Sequence, residues 1–146
     1  DGAISYINFE YTSDVDPVTG NLVNTSIPAG AVTPYTPEWT YSAGIQYDYE
    51  MESGASLSFR LDGAYQSELY TTSENTPFSL VDSYFIANGR VSFTTADDDW
   101  QIYGEVKNLF DKYYFLTISD ASNSLGIVTG MPGLPRTWTI GVKKNF

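Results

Sequence analysis

Between residues 38 and 68 the chain changes polarity at almost every step. Trp39, Tyr41, Ala43, Ile45, Tyr47 and Tyr49 alternate with Thr40, Ser42, Gly44, Gln46 and Asp48. After "MESG" at 51–54 the pattern resumes, with Leu57, Phe59 and Leu61 set against Ser58, Arg60 and Asp62. A period of two belongs to an extended strand, whose side chains point to opposite faces in turn, whereas a helix repeats near 3.6. The chain is therefore committed to strands with one apolar and one polar face. What remains is which solvent the apolar face meets.

The same alternation predicts six strands, over 3–11, 38–50, 55–68, 82–95, 100–111 and 134–146. Phe85, Ala87, Val91 and Phe93 oppose Tyr84, Asn88, Arg90 and Ser92; Trp100, Ile102 and Val106 oppose Gln101, Tyr103, Glu105 and Lys107. In the last stretch Trp138, Ile140, Val142, Lys144 and Phe146 share a side. The first is less clean, with Ile4 and Tyr6 on one side and Ala3, Ser5 and Ile7 on the other. Short turns, "MESG" and "ADDD" at 96–99, alternate with long connectors at 12–37, 69–81 and 112–133 that are rich in Pro, Gly, Ser, Thr and Asn. That rhythm predicts an antiparallel up-and-down meander.

Three details favour lipid over a soluble β-sandwich, which also alternates. Aromatics on the apolar face cluster toward strand ends, as in the girdles of a transmembrane β-barrel. The stretches are long enough to cross a bilayer at a tilt, which takes about 9–11 residues. Gly63, Gly89 and Gly104 fall mid-strand on the apolar side, odd for a filled core and tolerable against fluid lipid. The only charge on the apolar faces is Lys144.

Composition narrows the chemistry. Eighteen acids against seven bases give a net charge of −11, which disfavours a nucleic-acid partner. Cysteine and histidine are both absent, so disulfides, thiolate zinc sites and Ser–His or Cys–His dyads are excluded. No run of about 18 apolar residues offers a spanning helix. "DVDPVTGN" at 14–21 echoes a calcium loop, but lacks the spacing of the remaining ligands and reads as a bent polar connector. Asp62 and Glu105 could be posed as an acid–base pair, yet each has a cation two residues away on its own face, Arg60 and Lys107. A compensating charge ladder explains them better than catalysis. No catalytic residue, metal site or cofactor is expected.

Residues 82–146 resemble the C-terminal end of TonB-dependent outer-membrane receptors. The matching pieces are "DSYFIANGRVSF", "WQIYGEVKNLFDKYYF" and "GLPRTWTIGVKKNF" with its terminal aromatic; residues 1–81 fit the same rhythm more loosely. The resemblance implies an all-β, antiparallel up-and-down transmembrane β-barrel segment, the last six strands of a 22-stranded barrel whose lumen holds a plug domain. Residues 1–146 would be the C-terminal part of that barrel, with the plug and about sixteen earlier strands lying elsewhere in a longer receptor. The implied activity is active import of a scarce nutrient, such as a siderophore-iron complex, cobalamin or an oligosaccharide. Implied partners are outer-membrane lipid, the rest of the barrel and its plug, the TonB energy-coupling complex through the N-terminal part, and the barrel-assembly machinery. Arg60, Asp62, Arg90, Glu105 and Lys107 would line the lumen, and Gly141 and Phe146 would belong to the assembly signal, from which Lys144 departs. Tyr35, Tyr70, Tyr114 and Phe115, in the long connectors, are candidates for stacking on a ligand ring. Trp39 and Tyr113 read better as an interfacial belt. Two alternatives stay open: a soluble acidic carbohydrate-binding β-sandwich, and a passive porin-like barrel.

Overall fold

The computed structural model describes residues 1–12, 15–21 and 27–145. Ten strands occur among them: β1 (Gly2–Tyr6), β2 (Trp39–Glu50), β3 (Ser56–Gln66), β4 (Leu69–Tyr70), β5 (Leu80–Val81), β6 (Tyr84–Thr94), β7 (Trp100–Lys107), β8 (Phe115–Ala121), β9 (Ile127–Pro132) and β10 (Thr137–Lys144). A 3-10 turn at Pro77–Ser79 precedes β5, and a four-residue helix, α1 (Ser122–Leu125), joins β8 to β9. Six strands form one sheet in the order β1-β2-β3-β6-β7-β10, each antiparallel to its neighbour. This is the expected meander.

Register follows the alternation. Across the sheet, Ile45, Leu61, Gly89, Val106 and Trp138 lie in one lateral row, and Tyr47, Phe59, Val91, Gly104 and Ile140 in the next. A slip of one residue would turn a strand's whole apolar set over, so these rows pin one another. On β1 the even set wins: Tyr6 pairs with Trp39 and Ile4 with Tyr41, and the Tyr6 and Trp39 rings lie 4.5 Å apart. The turns between long strands are tight. Gly54 adopts φ 85° after Glu50, and Asp98 takes φ 58° before Trp100.

Boundaries differ from the sequence reading by three residues or more at three places. β1 ends at Tyr6 rather than at 11, because Tyr11 pairs instead with the connector, donating to Ala31 O and accepting from Gly30 N. β7 ends at Lys107 rather than at 111, because Asn108 enters the left-handed region at φ 51°. β10 begins at Thr137 rather than at 134; Pro135 has no N–H, and the Arg136 N–H is taken by the Asp111 carboxylate. The long connectors also carry two small hairpins, β4–β5 and β8–β9, that alternation did not reveal.

Among the described residues, Ala87 and Val106 are the buried ones within the six-stranded sheet, and no layer of buried side chains lies beneath it. Leu69, Val81, Thr71 and Ser79 are packed among the connectors at one end. The apolar face stands open, with Ile45 70 % and Ile140 85 % exposed and Phe59, Val91 and Ile102 exposed as well. Among the described residues no second sheet covers it, as a sandwich would require.

Candidate functional site

The opposite face gathers the expected charges. Gln46, Arg60, Arg90, Glu105 and Thr139 form one lateral row. Arg60 and Arg90 are direct cross-strand partners, an arrangement that is unfavourable unless each finds its own acid. Each does. Arg60 Nη2 is 3.4 Å from Asp1 Oδ2 and Nε 3.7 Å from Asp62 Oδ1; Gly44, lacking a side chain, leaves the room for that cluster. Arg90 Nη1 is 3.5 Å from Glu105 Oε2, whose other oxygen is 3.3 Å from Lys107 Nζ. Asn88 donates to Asp62 at 2.8 Å. All five predicted residues therefore share one face, in two compensated clusters, Arg60 with Asp62 and Asp1, and Arg90 with Glu105 and Lys107. Because the groups are partly solvated, each pair contributes only about 0–1 kcal/mol.

Arg90 also lies over the Tyr103 ring, 4.0 Å from its centroid, and Tyr103 lies flat across Gly141 on β10. A Cβ at 141 would overlap that ring. Gly141 thus has a local reason to be glycine, the seating of an aromatic on a bare backbone. Phe85 over Gly63, Phe115 over Gly130 and Tyr114 over Gly133 repeat the device. Phe146 lies outside the described residues.

At the end carrying the long connectors, aromatic residues frame two clefts. One, of about 330 Å³, is lined by Thr36, Glu38, Glu68, Tyr70 and Ser83; the other, of about 190 Å³, by Asp82, Ser83, Lys112, Tyr114 and Phe115. Ser83 belongs to both, so the cleft of Tyr70 adjoins the one that Tyr114 and Phe115 share. Tyr114 packs at a tilt against Tyr84, 4.4 Å between centroids, and Tyr84 donates to Gln66 Oε1. Below this pair on the polar face lies an uncharged hollow with Thr40, Ser42, Gln66 and Tyr84 in its lining. Tyr35 lines neither cleft. Its hydroxyl lies 2.8 Å from Thr117 Oγ1 and its N–H donates to Tyr70 O, so it braces one connector against two others. Trp39 sits on the apolar face against Tyr6, and Tyr113 is exposed, edge-on to Phe115.

Sequence reasoning missed the residues that hold these connectors. Asn108 is 3 % exposed, and its side chain donates to Lys112 O and Leu134 O while accepting from Lys112 N. Asp111 accepts from Arg136 N and pairs with its guanidinium. "NLFD" and "LPR", 25 residues apart in the case of Asp111 and Arg136, are thus two halves of one clamp. Asn75 similarly clasps both Val32 N and Val32 O, and Thr76 donates to Asp120. The Asp120 carboxyl is held below its ordinary value by the Ser122 side chain first and then by Thr76. Within "DVDPVTGN", Asp16 receives Val18 N and the Thr19 hydroxyl, the pattern of a self-bonded turn; Asp14 lies outside the described residues. In "ADDD", Asp97 likewise accepts from Thr95 and Asp99 N.

A family model described as TonB dependent receptor-like, beta-barrel, matches residues 2–109. The match covers the whole first part of the chain, where the resemblance in motifs is looser, and stops at the start of the "NLFD" clamp. No curated protein and no solved structure matches the chain.

Proposed function

The chain belongs to the TonB-dependent receptor β-barrel family, an outer-membrane family of Gram-negative bacteria, and from that premise we propose that it forms the closing wall of an active nutrient transporter. The observation that carries the reading is the two-faced sheet, with an apolar face open to its surroundings and a neutralised charge row behind it. A transmembrane barrel requires this division, because lipid accepts no unpaired charge while a filled lumen accepts compensated ones. In this reading residues 1–146 are the C-terminal part of a longer barrel, and the free edges of β1 and β10 pair with its other strands. Arg60, Asp62, Arg90, Glu105 and Lys107 face the plug. The turns 51–54 and 96–99 lie on the periplasmic side and the long connectors outside the cell.

The clefts at Tyr70, Tyr114 and Phe115 supply part of the external ligand contact. Their rings offer stacking surfaces, and the hydroxyl and amide groups below them fit a polar, ring-bearing solute such as an oligosaccharide or a chelated metal complex. Energy reaches the plug through the TonB complex at the receptor's N-terminal part. Gly141 and Phe146 serve as elements of the signal read by the barrel-assembly machinery. The test is uptake of labelled candidate nutrients by cells with and without the receptor, in the presence and absence of a protonophore. Receptor-dependent uptake that collapses with the proton gradient is expected; uptake indifferent to the protonophore would mark a passive channel and overturn the reading.

A further inference from the structure

Thr71, Thr76, Ser79 and Thr117 spend their hydroxyls on bracing the connectors. Thr71 reaches Ser79 O and Ile118 O, Ser79 donates to Thr76 O, Thr76 to Asp120, and Thr117 lies against the Tyr35 hydroxyl. A second set is unspent. Among the described residues, the hydroxyls of Ser5, Thr40, Ser42, Tyr70, Ser83 and Tyr114 bond no other protein group, and all six residues line the two clefts or the hollow below them.

This second set follows a continuous path. Ser83 joins the cleft of Tyr114 and Phe115 to that of Tyr70, and Tyr65 joins the Tyr70 cleft to the hollow below, which measures about 320 Å³. The hollow has a simple origin in the register. Ser5, Thr40, Gln66 and Tyr84 form one lateral row, and the next polar-face row toward the short turns is Ala3, Ser42, Ala64 and Ile86. Three of those four are small, so the wall is recessed beneath Gln66 and Tyr84. Tyr84 donates to Gln66 Oε1, which leaves the Gln66 amide N–H groups for a ligand. The charge row through Arg60 and Arg90 begins six residues along β3 from Gln66, about 20 Å away, and no ionised group lines the recess.

Charge narrows the solute further. Glu38, Glu68 and Asp82 line the two outer clefts against one base, Lys112. Arg136, in the nearby clamp, is committed to Asp111 and Leu109 O. An anionic chelate would meet net repulsion in the clefts, and a cation would find no acid in the recess. Resting on the transporter reading given above, we infer that the solute is an uncharged linear oligosaccharide, with one ring in each cleft and a third in the recess over Ser42 and Ala64. Sugar hydroxyls both donate and accept, as the unspent hydroxyls do, and the apolar faces of sugar rings suit Tyr70 and Tyr114.

The test uses the whole receptor at its natural length, in a detergent without a sugar headgroup, and reads binding by titration calorimetry. The probes are neutral glucose, xylose and N-acetylglucosamine oligomers of increasing length, the uronic-acid counterparts, and a ferric tricatecholate. One neutral series is expected to bind, with affinity rising at each unit to the third and then levelling, and its acidic counterpart at least about tenfold weaker. Ala64→Leu fills the recess and should abolish the gain at the third unit, with heat-modifiable migration on a gel verifying that the barrel has folded. Gln66→Leu should weaken three-unit binding about tenfold, the loss of one or two hydrogen bonds. Failure of every neutral series to bind, tighter binding of the tricatecholate or of an acidic series, affinity indifferent to length, or a full third-unit gain in folded Ala64→Leu would each overturn the inference. Protonophore-indifferent uptake of a sugar that binds as expected would overturn the transporter reading and leave this one standing. Protonophore-sensitive, receptor-dependent uptake of an anionic chelate would overturn this one alone.

Discussion

Replacing Asn108 by alanine should loosen the end of the barrel that carries the long connectors without disturbing its strands. The side chain makes three hydrogen bonds, to Lys112 O at 2.9 Å, to Leu134 O at 3.0 Å and from Lys112 N at 2.9 Å. Each is worth about 1 kcal/mol net, and the site is nearly sealed from water, so the bonds are not readily replaced. Asn108 also adopts φ 51°, where asparagine is tolerated better than alanine, adding about 1 kcal/mol. The expected local destabilisation is about 3–4 kcal/mol. Hydrogen–deuterium exchange in the detergent-solubilised receptor reads it directly. Amides of 108–114 and 133–138 should exchange at least about a hundredfold faster, while those of β3 and β6 hold their protection. Asn108→Gly removes the bonds but relieves the backbone and should fall about 1 kcal/mol short of the alanine effect. Asn108→Asp keeps one acceptor but turns a carboxylate toward two carbonyls and should be the worst of the three. An alanine variant that exchanges within tenfold of the parent would refute the clamp, and one indistinguishable from glycine would refute the backbone contribution at φ 51°.

Gly141→Val should destabilise by about 1–3 kcal/mol by lifting Tyr103 off the backbone, and Tyr103→Ala in the same chain should restore most of the loss in a urea-unfolding cycle. Glu105→Gln should cost no more than about 2 kcal/mol in the same assay, because it breaks two pairs, to Arg90 and Lys107, that are each partly solvated; a larger loss would mean the row is held far drier than its exposure implies. The Asp120 carboxyl is lowered in the folded state by Ser122 and Thr76, so the order it gives the β8–β9 hairpin is complete above the ordinary value of 3.8 and is lost as pH falls through the lowered one. Exchange of 115–122 should therefore accelerate only below about pH 4, and Asp120→Asn should abolish that pH step.

The alternation of Trp39 to Tyr49 and of Leu57 to Tyr65 was enough to place β2 and β3 within one or two residues, because each strand's apolar set must register with its neighbour's. The charge row was legible for the same reason: parity alone puts Arg60, Asp62, Arg90, Glu105 and Lys107 on one side. The connectors were opaque. Their order comes from single long-range hydrogen bonds, Asn75 to Val32, Thr76 to Asp120 and Asn108 to Leu134, and no periodicity announces those. The end of β7 and the start of β10 are set by a left-handed asparagine and by a proline, both visible as residues but not as partners. Tyr35 looked like a ligand contact because it is an aromatic in a long connector; its bond with Thr117 and its backbone bond to Tyr70 make it a brace. Gly141 was legible only as part of a family pattern, and the ring lying over it supplies the physical cause.

The account stands on which side of the sheet meets lipid, and the chain's lack of cysteine makes that measurable with nitroxides on single introduced cysteines. Labels at Phe59, Val91, Ile102 and Ile140 in native outer membranes should relax strongly with oxygen and weakly with a water-soluble nickel chelate. Labels at Ser58, Ser92, Gln101 and Thr139 should relax weakly with oxygen. The same response at both sets, or a first set shielded from both reagents as in a dry interior, would contradict it.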